Sequence, residues 1–419
     1  MIAFLDRVNI TIAGIAIKDS YQFNNRQLGY LFSALLVGYA LFQAPGGRLA
    51  DLYGPRRVLA GGVVWWGVFT GLTALVPHFA GALLAFIVVR FLLGVGEAVV
   101  YPASNQFVSR WIPSHERGKA NGLIFAGVGF GAGLSPPLIT HMMLHYGWRF
   151  SFWACALLGL GAGIVWYLAA RDKPAEHARV STAELCLIEA GLTIKTNPLS
   201  GTSAQAVRWA TVLRSKEILA ITFSYFCFGY VAWIFFSWFF IYLATVRGLN
   251  LKASAFYAML PPLAMSVGSA LGGVVTDRLT QWKGPRIGRC LVAAIVLLAA
   301  AGFLVMGSRV ESARFASVVL AGGAGALYLA QSSFWSVTAN LAGPSSGSVS
   351  GFMNTGGQTG GALTASLTPW IADHYGWSSA FIFAATICSL GALSWLLVNP
   401  ERTLPTDAAF SGRSDGASA

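Results

Sequence analysis

Charge is what this chain lacks most. Only 11% of its 419 residues are Asp, Glu, Lys or Arg, against about 25% in a soluble globular chain. So little charge cannot cover a water-facing surface of normal polarity. Cysteine is scarce too. The five (Cys155, Cys186, Cys227, Cys290, Cys388) are scattered with no CxxC pair, which implies neither a disulfide framework nor a metal site. No nucleotide loop, metal cluster or nucleophile constellation stands out. An enzyme is therefore not expected, and no cofactor is. The lone histidines, including His78 and His141, read as interfacial. No small-residue cleavage site follows the first apolar segment, so no cleavable signal peptide is expected.

What the chain has is apolar length. Hydrophobic residues make up 55%, and mean hydropathy is +0.62. Many runs reach the ~20 residues that cross a bilayer core. Spans are expected near 1–17, 28–50, 58–76, 80–102, 121–144, 151–170, 218–243, 254–276, 290–307, 314–339, 349–372 and 378–398. This reads as an all-α polytopic membrane protein of twelve transmembrane helices. Its 48 glycines suit close helix packing. The expected organisation is a six-helix bundle (1–170), a polar central loop (171–217), a second six-helix bundle (218–399) and a tail (400–419).

The formal net charge of +12 is mainly topological. Nineteen Lys and Arg fall in the loops after spans 2, 4, 6 and 8 and in the tail, and seven fall on the other side. This bias places the central loop and the C-terminus in the cytoplasm and makes nucleic acid an unexpected partner. The chain also repeats itself. GAGLSPPLITHMMLHYGWRFSFW (131–153) matches GGALTASLTPWIADHYGWSSAFI (360–382), and GGRLADLYGPRR (46–57) is echoed by GGVVTDRLTQWKGPR (272–286). Two matches at nearly one offset indicate duplicated halves running in the same direction, one of the plans of secondary transporters.

GGRLADLYGPRR resembles the loop signature of the major facilitator superfamily, and the resemblance extends over essentially the whole chain. Gly46 and Gly47 permit close helix packing. Asp51 can meet a helix N-terminus or a basic neighbour, and Arg56 and Arg57 stay cytoplasmic. With Asp277 in the second copy, these residues read either as a latch that opens during transport or as a topology anchor with a tight turn. LDRVNI (5–10), GYALFQAPGGRLAD (38–51), RFLLGVGEAVVYPASN (90–105) and RWIPSHERGKANG (110–122) together resemble the anion:cation symporter family within that superfamily. Its bacterial members usually couple uptake of an organic anion, such as galactonate, glucarate or a hexuronate, to protons.

Four ionisable residues fall at depth: Asp6, Arg7, Arg90 and Glu97. Each costs roughly 2.5–3.5 kcal/mol on insertion scales, and such residues by default line an interior pathway. Arg90 and Glu97 lie about 20° apart around one helix and roughly 10.5 Å apart along it, so they share a face. The family resemblance implies that Arg7 binds the substrate carboxylate, that Asp6 and Glu97 carry protons, and that Arg90 pairs with an acid to tune it. The alternative is a static charge network holding helices together. Tyr39 and Gln43 share one face, as do Asn354 and Gln358, and these are candidates for substrate hydroxyls or for interhelical bonds. Tyr225 or Tyr230 could close over a substrate, although most aromatics of that span read as lipid-facing. GVGFGAG (127–133) offers no polar side chain where sugar-acid carriers often have Gln or Ser.

The expected function is proton-coupled import of a small organic anion, with a sugar acid leading, by a monomer in the bacterial inner membrane. The alternatives are proton-antiport efflux and a non-transporting sensor. The first lacks its usual Gly-Pro motif, having SPP at 135–137, and the second lacks room for a regulatory domain. Only five residues precede Asp6, so the first helix is expected to be truncated or to start upstream.

Overall fold

The computed structural model describes residues 2–23, 25–192 and 209–404. Part of the central loop (193–208) and of the tail (405–419) therefore lie outside the described residues. Ten helical stretches are long and apolar enough to cross a membrane. One of them, Ala313–Tyr375, is 63 residues long and turns back at Gly343, where φ is 51°, so it makes two crossings. A twelfth helix, Ile2–Tyr21, carries Asp6, Arg7, Lys18 and Asp19, which lower its hydropathy. It continues past the expected end at residue 17 because backbone hydrogen bonding does not stop where apolarity does.

The helices are α1 (Ile2–Tyr21), α2 (Asn25–Tyr53), α3 (Pro55–Leu75), α4 (Ala82–Trp111), α5 (Arg117–Tyr146) and α6 (Trp148–Ala169). After the central loop come α7 (Lys216–Ser237), α8 (Leu260–Lys283), α9 (Arg286–Arg309), α10 (Ala313–Leu329 continued by Gln331–Ala342), α11 (Ser346–Tyr375) and α12 (Trp377–Ser394). Helices α1–α6 pack together, as do α7–α12, and the two groups meet mainly along α2–α11 and α5–α8. Outward-facing Leu123, Leu157, Leu168 and Leu298 are exposed, as hydrocarbon solvent permits.

The repeat seen in the sequence is also written into the backbone. Gly54 and Gly284 end α2 and α8 at φ 88° and 84°, and Gly147 and Gly376 end α5 and α11 at φ 82° and 83°. Only a residue without Cβ adopts that left-handed region cheaply. The α4 break after Ala98 has its counterpart in the α10 break after Leu329.

One expectation needs correction. The aromatics of α7 are mostly interior: Tyr225, Phe228, Tyr230 and Phe235 are all at most 5% exposed. The cause is glycine packing. Gly229 lies against the Gly357 backbone, and Gly360 against the Phe226 carbonyl. This close approach draws α7 into the bundle and leaves Phe223 facing outward.

Candidate functional site

A cavity of about 390 Å³ lies between the two groups of helices. It is lined by Arg7, Tyr39, Arg90 and Tyr101 from one group and by Tyr225, Gln331, Asn354 and Gln358 from the other, within an apolar surround. Its lining climbs from Tyr39 to Phe32 on α2, from Phe125 to Ala132 on α5 and from Tyr225 to Phe236 on α7. The cavity therefore extends away from the helix ends at Tyr53, Arg117 and Lys216. On α5 it meets only Phe125, Val128 and Ala132, in keeping with the apolar GVGFGAG stretch.

Both charged side chains in the lining are cations, and no acid is among the lining residues. The acids sit behind them. Arg7 Nε donates to Glu97 Oε2 at 2.7 Å, with Glu97 fully buried. The Arg7 guanidinium also lies over the Tyr39 ring, 4.1 Å from its centroid, a cation–π contact that ties it to α2. Asp6 is fully buried. It faces Thr70 and Trp66, with Glu97 and Arg90 nearby.

Arg90 lies within electrostatic reach of Glu97 and Asp6 but makes no close ion pair with either. Arg7, from α1, makes the ion pair with Glu97, while Arg90 is 1% exposed with Nε and Nη1 unpartnered. The seven-residue spacing puts Arg90 and Glu97 on one face of α4 but about two turns apart. That interval is filled from α1.

Tyr39, Asn354 and Gln358 reach the cavity. Gln43 does not: it is fully buried and accepts from Asn354 Nδ2 at 2.8 Å, joining α2 to α11. Tyr230 is also outside the lining, bonded to Thr368 at 3.0 Å. Gln331, Tyr101 and Tyr328 line the cavity although nothing in the sequence singled them out. The available signal was a glutamine inside an apolar span.

At the other end of the cavity the two groups are clasped together. Asp51, at the end of α2, accepts from the Gly347 and Ser348 amides at 2.9 and 2.7 Å, at the start of α11. Asp277, near the end of α8, accepts from the Gly118 and Lys119 amides at 2.9 and 2.6 Å, at the start of α5. The two clasps are repeat images of each other. Each sets a carboxylate on the positive end of a helix, where unsatisfied N–H groups favour an anion. Gly47 makes the approach possible, since a Cβ there would overlap the Gly347 carbonyl. Gly46 lies against Val99.

Further bonds thicken this seam. Ser109 and Ser346 hydroxyls meet at 2.9 Å, and Arg117 Nη1 donates to Asn340 at 2.5 Å. Arg289 donates to the Ser114 carbonyl and lies 3.8 Å from Asp277. Arg56 takes no part across the seam. It donates to the Tyr167 carbonyl at 2.7 and 2.9 Å and stacks on that ring, binding α3 to α6. Arg57 is exposed.

A family model described as Major Facilitator Superfamily matches residues 1–365. The chain is 32% identical over 407 residues to a probable sulfoacetate transporter, SauU, of Cupriavidus necator, covering 96% of this chain and 92% of that one. It is 28% identical over 399 residues to a hexuronate transporter of Bacillus subtilis, covering 94% and 90%. Among solved structures it resembles the proton:xylose symporter XylE with a TM-score of 0.72 at 16% identity, covering 98% and 96%. It also resembles the fucose:proton symporter FucP of E. coli with a TM-score of 0.64 at 15% identity, covering 94% and 95%. The fold, the duplicated halves and the matched sequence together place this integral membrane protein in the major facilitator superfamily.

Proposed function

We propose that the protein imports a small organic anion together with protons, by alternating access, with a hydroxylated sugar acid as the leading substrate class. The carrying observation is the charge of the cavity: two arginines and no acid line it, while two buried carboxylates lie behind them. Two cations in a low-dielectric pocket attract an anion strongly, and a planar guanidinium matches a carboxylate. Relatives described as sulfoacetate and hexuronate transporters support an organic anion.

The loop charges support a cytoplasmic location for the clasped end, with the cavity extending toward the outside of the bacterial inner membrane. The entering anion meets Arg7 and Arg90. Arg7 is committed through Nε to Glu97, so protonating Glu97 neutralises that carboxylate, leaves Arg7 with an uncompensated positive charge and releases its donor for the substrate. Asp6 supplies a second buried carboxylate for proton movement. The Asp51 and Asp277 clasps then part, and the two six-helix groups rock as rigid bodies about the filled site. One copy of the chain contains all the groups this mechanism uses, so a monomer suffices.

Proteoliposome uptake of labelled glucuronate tests the coupling. An acid-outside gradient is expected to drive accumulation. Glu97→Gln is expected to abolish accumulation while sparing exchange of internal for external anion. Flux indifferent both to the gradient and to Glu97→Gln would remove proton coupling from the mechanism.

A further inference from the structure

The cavity's two walls differ in kind. Its cations come from α1 and α4, while the facing wall presents neutral groups on α7 and α10. There Tyr225 and Gln331 are buried at 5% and 2% exposure, and both line the cavity. The Tyr225 hydroxyl oxygen accepts twice, from Gln331 Nε2 at 3.0 Å and from Trp335 Nε1 at 3.3 Å. An indole N–H can only donate, so Trp335 fixes this oxygen as an acceptor. With both bonds arriving at the oxygen, the phenol proton is left to donate elsewhere. Gln331 Oε1 is buried with no hydrogen-bond partner. The wall thus presents a donor, Tyr225 O–H, beside an acceptor, Gln331 Oε1.

A hydroxyl group satisfies both, since it accepts from Tyr225 and donates to Gln331. A carboxylate or sulfonate oxygen only accepts. It leaves the amide oxygen orphaned and sets negative charge against its lone pairs. A methylene satisfies neither.

We propose that Gln331, oriented by Tyr225 and Trp335, is the residue that selects hydroxylated acids over acids lacking hydroxyls. The proposal rests on the reading of this cavity as the organic-anion site. The arginines hold the carboxylate end of the substrate, and the Tyr225–Gln331 pair reads its hydroxyl-bearing end.

Calorimetric binding to the purified full-length protein tests this, with gluconate, glucuronate, hexanoate and sulfoacetate as probes. The better of the two hydroxylated acids is expected to bind at least about tenfold more tightly than hexanoate and sulfoacetate, because an unmatched buried polar group carries a penalty of that size. Gln331→Leu is expected to shrink the gap to within about twofold by weakening the hydroxylated acids alone. Tyr225→Phe, which keeps the ring stacked on Phe228, is expected to narrow the gap in the same way. Equal weakening of all four probes by Gln331→Leu would mean a packing role and overturn the proposal. So would a wild-type protein that binds hexanoate or sulfoacetate as tightly as the sugar acids. The underlying reading fails separately: it falls if no probe binds, or if binding survives Arg7→Gln combined with Arg90→Gln. Arginine-dependent binding without hydroxyl preference overturns only the role of Gln331.

Discussion

At the residue scale, the two arginines of the cavity lining are in opposite situations. Arg7 neutralises a fully buried glutamate, and Arg90 leaves two of its nitrogens without partners. Removing one member of a buried pair typically costs about 3–5 kcal/mol, because the other charge stays buried alone. Arg7→Gln is therefore expected to lower the thermal midpoint in detergent substantially, with Arg7→Gln/Glu97→Gln recovering most of the loss. Arg90→Gln breaks no hydrogen-bonded pair, only the longer-range attraction to Glu97 and Asp6, and is expected to lower the midpoint less than Arg7→Gln does. Both single variants are expected to lose anion binding. Equal destabilisation by the two would contradict the pairing. The sequence exposed all four charges because charge in an apolar run is conspicuous. It did not show who pairs with whom, since helical spacing assigns a residue to a face and leaves the neighbouring helix unnamed. Gln331 escaped notice because, without a charge, its role depends on Tyr225 and Trp335 arriving beside it from the fold.

At the element scale, the clasps depend on helix starts as much as on the acids. A carboxylate on two backbone amides makes charge-assisted bonds that an amide side chain cannot reproduce. Asp51→Asn and Asp277→Asn are each expected to loosen the seam to a similar degree, being repeat images. Spin labels at Arg57→Cys and Trp282→Cys, both exposed sites, with Cys186→Ser as background, would register a second, longer separation. A single unchanged distance in both variants would deny the clasps their role. Gly47→Val goes further. Its side chain cannot share space with the Gly347 carbonyl, so only the longer separation and no uptake are expected. The sequence marked Asp51 as a partner for a helix N-terminus but could not say which helix, because Gly347 lies 296 residues away. The aromatics of α7 misled for a related reason. Composition cannot tell lipid from protein as the apolar neighbour, and the matter is decided by Gly229 meeting Gly357 of α11 and by Gly360 of α11 meeting the Phe226 carbonyl.

At the scale of the whole molecule, the seam and the cavity are separable. Ser109 and Ser346 hydroxyls, 2.9 Å apart across the seam, give a place to fasten it. Oxidation of a Ser109→Cys/Ser346→Cys pair is expected to stop uptake, and reduction to restore it, while anion binding from the open side persists throughout. Loss of binding on oxidation would mean that the two regions are not independent. The architecture itself was largely legible. Spacing of apolar runs, asymmetry of loop charge and the two repeated stretches led to twelve helices in related halves. The breaks in α4 and α10 were not read from the sequence, although Pro102 lacks the N–H that would bond the Ala98 carbonyl and the polar Gln331, Ser332 and Ser333 follow the α10 break.

The reciprocal clasps also bear on ancestry. Asp51 reaches the start of α11, and Asp277 reaches the start of α5, so each acid accepts from backbone amides of the other half. A six-helix chain pairing with an identical copy, both inserted in the same direction, would have formed both fastenings from a single aspartate and a single helix start. For such a pair, gene fusion would have had nothing to invent at this face, and the two cavity walls would have been free to diverge, one with its charges and the other with its hydroxyl-reading pair.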